Sequence, residues 1–169
     1  MLEDERLAYL AGLASDGDKE SFVALCDAMK NALFRTAKGI LQDDALALDA
    51  VSEAVFRAYR GIRRLREPKY AATWFTRILI NAATDIYKRR KLDVPLDTSH
   101  NNAYYDDYSQ LNFETMIESL PPELREIISL KYYSEFTLEE ISRILKAPVG
   151  TVKSRLNRAL RQLRLEIEE

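Results

Sequence analysis

"PVGTVKSRLNRALRQLR", residues 148–164, carries two patterns on one stretch. At roughly 100° per residue, Val152, Leu156, Ala159 and Leu163 share one face of a helix, with Leu160 on its flank. Ser154, Asn157, Arg158 and Arg161 gather opposite, Gly150 and Thr151 stand beside them near the start, and Lys153 and Arg155 border this polar face. One side packs and the other presents donors. No acid follows before Glu166, whereas ordinary exposed helices mix signs for i,i+4 pairing. The outward types suit DNA: Arg and Lys meet guanine edges and phosphates, Asn meets adenine, Ser meets either. The competing reading is a solvated amphipathic helix.

The residues just before favour DNA. In "FTLEEISRIL", residues 136–145, Thr137 precedes Glu140 by three, which is a capping box. Phe136 and Ile141 fall at the two positions of a hydrophobic staple. A short capped helix, a short turn and a basic amphipathic helix make a helix-turn-helix, whose second helix enters the major groove. Further upstream, "SLPPELREIISLKYY", residues 119–133, sets prolines at a first turn ahead of Leu124, Ile127, Ile128 and Leu130.

The rest of the chain is also helical in pattern. Five Gly and five Pro in 169 residues leave few tight turns, so an all-α fold is expected. One helix starts near Ser21 with Phe22, Leu25, Cys26 and Met29 on a face and continues through Leu33 and Ile40. A second follows Asp43 and Asp44, whose acids suit a helix start, with Leu48, Val51, Val55 and Tyr59 at helical spacing. A third runs from about Ala71 to Lys91 with Trp74, Phe75, Ile78, Ala82 and Ile86. Opposite them, Arg77, Asn81, Asp85 and Lys88 make a polar stripe, and the basic connector before it holds Tyr70. An amide and an aromatic ring suit an unstacked base, which offers both an edge and a face.

Charge divides the chain. Residues 1–91 hold 16 basic and 13 acidic side chains, and residues 112–169 hold 9 and 10. Between them "LDVPLDTSHNNAYYDDYSQL", residues 92–111, holds 4 acids and no base, so it reads as a flexible acidic linker between two small helical domains.

Several function classes fall away. Cys26 is the one cysteine and His100 the one histidine, so neither a disulfide, a His-based metal cluster nor a Ser-His-Asp triad is expected. Cys26 reads as a small core residue. The carboxylates Glu139 and Glu140 are explained by the capping box, and no phosphate loop or nucleophile elbow is present, so no catalytic residue, metal or cofactor is expected. "MLEDERLAYLAGL", residues 1–13, is no secretory signal, and no apolar run approaches the twenty or so residues that span a bilayer. A cytoplasmic protein without membrane insertion is expected.

"TLEEISRILKAPVGTVKSRLNRALRQLR", residues 137–164, resembles the C-terminal helix-turn-helix of bacterial RNA polymerase sigma factors, specifically the extracytoplasmic-function (ECF) group of the sigma-70 family. The resemblance implies a domain that docks on the polymerase flap and reads the minus-35 promoter element. By position, Thr151, Lys153, Ser154, Asn157, Arg158 and Arg161 would face DNA, with Arg155 near the backbone. The family usually has glycine where this chain has Lys146, which predicts a differently built turn. "DDALALDAVSEAVFRAYRGI", residues 43–62, resembles the family's polymerase-binding helix, with Asp49-Ala50-Val51-Ser52-Glu53 standing for a typical Asp-Leu-Val-Gln-Glu. That implies Asp49, Glu53, Arg57 and Arg60 at the clamp helices of the largest subunit. "EPKYAATWFTRILINAATDIYKRRK", residues 67–91, resembles the segment that captures a flipped minus-10 base. It implies Asn81 as the pocket's hydrogen-bonding wall, Tyr70 and Arg77 beside it, and Lys88 and Arg89 on phosphates.

The resemblance thus implies a factor that directs promoter-specific initiation in a stress or envelope response, monomeric when free, with core RNA polymerase, promoter DNA and an anti-sigma factor as partners. The alternative is a stand-alone helix-turn-helix repressor or activator. It explains residues 148–164, leaves residues 70–91 without a role, and would normally dimerise.

Overall fold

A carboxylate side chain opens each of the two helices that build the larger core. The computed structural model describes residues 2–93 and 115–168. After α1 (Leu2–Ser15), Asp18 accepts the Ser21 amide at 3.2 Å and starts α2 (Lys19–Leu41). The Ser21 amide and hydroxyl hold the Asp18 carboxyl below its ordinary value, as a cap should. Asp43 accepts the Leu46 amide at 2.9 Å and starts α3 (Asp44–Gly61). Two 3-10 turns, Ile62–Arg64 and Pro68–Tyr70, lead to α4 (Ala71–Asp93). The three helices expected in this half are present, preceded by α1, with α2 starting two residues ahead of Ser21.

In α3 the buried face is not the one the large apolar residues suggest. Ala47, Ala50, Ala54 and Ala58 are fully buried, while Leu48 and Tyr59 are exposed and Val51 and Val55 half-buried. The two series lie one residue, or about 100°, apart, and the small one lets α3 approach its neighbours closely. Phe22, Leu25, Met29 and Leu33 of α2 and Phe75, Leu79, Ala82 and Ala83 of α4 complete this core. Trp74 is half-buried and meets the Phe75 ring edge-on at 6.2 Å. Cys26 is half-buried among apolar neighbours, and burial pushes its thiol up to about 11, away from reactivity.

The second half contains α5 (described over 115–119), α6 (Pro122–Ile128), α7 (Leu138–Leu145) and α8 (Val149–Glu168). Helix α6 runs on into a π turn, Ser129–Tyr133. Ile117, Leu124, Ile127, Ile128, Leu156, Ala159 and Leu163 form the second core. The acidic stretch over 94–111, including His100, lies outside the described residues, and α4 itself extends two residues past Lys91.

The two halves touch. Leu130, Ile141, Ile144 and Val152 belong to the first core rather than the second. Thr36 hydrogen-bonds Ser134 across the join, and the Thr84 hydroxyl bonds Glu126 Oε1 at 3.3 Å. Burial raises the Glu126 carboxyl above its ordinary value, against the opposing pull of Thr84 and Arg155. The folded chain therefore holds this proton more tightly than the unfolded one, so stability falls as pH rises from the ordinary carboxyl range through the raised value. Glu126→Gln keeps an acceptor for Thr84 without the charge. Its Tm should exceed the parent's at pH 7 and converge with it near pH 4, as thermal melts across that range would record.

Candidate nucleic-acid interface

The helix-turn-helix is built from its caps inward. The Glu140 amide donates to Thr137 Oγ1 at 3.3 Å and the Thr137 amide to Glu140 Oε2 at 2.8 Å, closing the capping box at α7. At the other end Lys146 has φ 50°, and its amide returns to the Ser142 carbonyl. The turn is thus left-handed despite lysine, contrary to the expectation of a differently built one. Ser142 holds it from within, its hydroxyl donating to the Ala147 carbonyl at 2.6 Å. Lys146→Gly removes the Cβ penalty of that conformation and should raise stability by about 0.5–1 kcal/mol, measured by denaturant unfolding.

Helix α8 then divides as its sequence does. Val152 and Ala159 are fully buried and Leu156 and Leu163 nearly so, whereas Lys153, Ser154, Asn157, Arg158 and Arg161 are exposed and Thr151 and Arg155 half-buried. Ser154 donates to the Thr151 carbonyl at 2.9 Å. Arg158 pairs with Glu123 of α6 at 2.7 Å, both side chains about half exposed at 54% and 50%. Such a pair is worth at most about 1 kcal/mol, so a phosphate or guanine edge can replace the carboxylate.

The polar stripe of α4 splits in two. Asp85 turns toward α3, where it accepts Arg57 Nη2 at 3.0 Å. Arg77 turns toward α7, its Nε donating to the Ile144 carbonyl at 3.2 Å and its Nη2 to the Arg143 carbonyl. Four-residue steps advance about 40° each on a helix, so residues 77 and 85 diverge by about 80°. Between α4 and α7 lies a cavity of about 230 Å³ whose walls include Arg77, Asn81, Thr84, Glu126, Ile144 and Lys146. Asn81 is exposed at its mouth, and Lys88 and Arg89 are exposed farther along. Tyr70 is 39% exposed, with Lys69 Nζ 5.0 Å from its ring centroid and the Arg143 guanidinium 5.2 Å from it.

On α3, Asp49 and Arg60 are exposed, but Glu53 and Arg57 are tied. Glu53 accepts Arg57 Nε at 2.7 Å, and with Asp85 it holds the guanidinium above its ordinary value. Leu48 and Phe56 are 58% and 57% exposed beside them, and Arg60 lies over the Phe56 ring at 5.6 Å. The helical spacing of Leu48 and Tyr59 does not mark the buried face, since both are exposed. The alanine stripe one position away was the available signal that the large face points outward.

Comparison with known proteins matches both halves. Residues 25–92 match the family model "Sigma-70 region 2" and residues 110–163 match "Sigma-70, region 4". The ECF RNA polymerase sigma factor SigW of Bacillus subtilis (strain 168) is 30% identical over 172 residues, covering 90% of this chain and 92% of that one. RNA polymerase sigma factor SigV of the same organism is 28% identical over 142 residues, covering 82% and 86%. Among solved structures, CnrH in complex with the cytosolic domain of CnrY aligns with a TM-score of 0.77 at 20% identity, covering 96% of this chain and 97% of CnrH. The sigma factor RpoE in complex with the anti-sigma factor NepR from Bartonella quintana aligns with a TM-score of 0.70 at 22% identity, covering 89% and 96%. At these identities the structural likeness speaks to the fold.

Proposed function

The chain belongs to the sigma-70 family as an ECF RNA polymerase sigma factor, and from that premise we propose how its surfaces divide the work of promoter-specific initiation. Helix α8 reads the minus-35 element in the major groove through Lys153, Ser154, Asn157, Arg158 and Arg161, with Thr151 and Arg155 toward the backbone. Helix α4 and the turn before it hold an opened minus-10 base, Asn81 supplying hydrogen bonds and Tyr70 a stacking face, with Arg77, Lys88 and Arg89 toward phosphates. Helix α3 meets the polymerase clamp through Asp49 and Arg60 together with Leu48 and Phe56. Glu53 holds Arg57 at 2.7 Å, and Arg57 ties the helix to Asp85 of α4 at 3.0 Å.

The observation that carries this reading is the outward face of α8: cations and an amide above a buried apolar face, on the helix that follows the capped α7 through a short turn. The contribution is positional, without a covalent step. It takes place in the cytoplasm, and an anti-sigma factor masks these faces until a signal releases them. Among the described residues no helix is long and apolar enough to cross a membrane. The net charge of −2 implies that the free chain binds duplex DNA weakly and gains affinity once on polymerase.

The test is transcription from a randomised promoter library by core polymerase with the purified chain. Transcripts sharing an upstream and a downstream element at fixed separation are expected. A repressor would give none and would bind a palindromic duplex as a dimer.

A further inference from the structure

Arg158, on the outward face of α8, is held by a residue of another helix. Glu123, in the first turn of α6, accepts its Nη2 through Oε1 at 2.7 Å. The backbones that carry the pair are packed together. Leu124, next to Glu123, shares a buried cluster with Leu156 and Ala159, which flank Asn157 and Arg158. The two helices face each other again one turn away, where the charge of Arg155 on α8 pulls the Glu126 carboxyl of α6 down against the effect of burial. Acids three residues apart on one helix thus meet arginines three residues apart on the other, in opposite chain directions. A helix start by itself favours an acid at position 123, but it does not call for an arginine of α8 upon it.

We propose that Glu123 is a positioning residue for upstream-element readout: it aims the fork of Arg158 at a guanine edge and keeps it off the neighbouring phosphates. The inference rests on the assignment of α8 to the duplex. A guanidinium carries five N–H donors in a rigid fork. The contact to Glu123 runs through Nη2, so donors remain for a two-point contact to guanine O6 and N7. A guanine edge therefore need not displace the carboxylate. A phosphate must, because it competes for the charge of the guanidinium and is repelled by the acid. A long side chain loses rotamer freedom on binding, and a partner that has already fixed it removes part of that cost. Without Glu123, Arg158 can turn to any phosphate in reach, a contact that positions the protein and carries no sequence information.

Transcription by core polymerase from the randomised promoter library tests this, because it returns a base preference at every position of the upstream element. Arg158→Ala marks the position that Arg158 reads, as the one whose preference it relaxes. There the parent should favour guanine about tenfold over the other bases. Glu123→Ala should cut that preference about threefold and leave neighbouring positions as in the parent. Glu123→Gln, whose amide oxygen still accepts, should fall between the two. In an Arg158→Ala background, Glu123→Ala should change nothing further at that position. A purely supporting role in α6 would instead lower transcription from all promoters alike, and thermal melts of each variant report the fold. Full guanine preference in Glu123→Ala, an equal loss at every position, or the same loss with and without Arg158 overturns the positioning role. So does a marked position that does not favour guanine. If Arg158→Ala relaxes no position while the parent still transcribes, the role of Glu123 and the base contact of Arg158 fall together, and the family assignment stands.

Discussion

Replacing Asn157 and Arg158 together by alanine should reduce transcription from a matched promoter by about thirtyfold or more while leaving polymerase binding unchanged. Each good bidentate contact to a base edge is worth about 1–3 kcal/mol of discrimination, and a factor of ten corresponds to about 1.4 kcal/mol. Both side chains are exposed, so thermal stability should hold. Arg158 loses only its exposed pair with Glu123 at 2.7 Å. Run-off transcription beside a polymerase-binding assay separates the two effects. A loss of both together would mean that α8 supports the fold or polymerase docking instead of reading DNA.

The second large effect belongs to α3. Leu48→Asp with Phe56→Asp should weaken binding to core polymerase at least about a hundredfold, since an aromatic or aliphatic anchor at the centre of an interface is worth about 2 kcal/mol or more. The melting temperature should barely move, because Leu48 and Phe56 are 58% and 57% exposed. Arg57→Ala supplies the contrast. Its guanidinium joins Glu53 on α3 to Asp85 on α4 at 2.7 and 3.0 Å, so its removal should lower stability and disturb polymerase binding only through α3's position. Titrating labelled core polymerase with each variant, alongside thermal melts, distinguishes contact from support.

How far these surfaces could be read in advance depended on the kind of interaction. The helix-turn-helix was plain because its signals are local: Thr137 and Glu140 meet as a three-residue spacing says they must, and Val152 to Leu163 keep one face. Helix α1 carried a weaker signal: among the described residues its buried side chains are the small Ala11 and Ala14, with Leu7 and Leu10 packed only partly against the same core. In α3 the apolar spacing is helical but does not tell which face is buried, because burial favours close approach by Ala47, Ala50, Ala54 and Ala58 over the area offered by Leu48 and Tyr59. The docking of the two halves was not visible. Arg77 spends its donors on backbone carbonyls, which every residue has, and Gly39 of α2 meets Ser129 and Tyr133 closely by lacking a side chain, so neither leaves a pattern in hydrophobicity or charge.

The central claim is that one chain both selects a promoter and captures the opened strand, and strand opening tests it most directly. Permanganate probing of unpaired thymines on a promoter from the library should show opening when core polymerase and the chain are both present. It should show none with either alone. Asn81→Ala should bind polymerase and the upstream element as the parent does yet open the duplex markedly less. Opening by the Asn81→Ala holoenzyme at the parent's level would contradict the capture assigned to α4, and no opening by the parent holoenzyme on any library promoter would contradict the account as a whole.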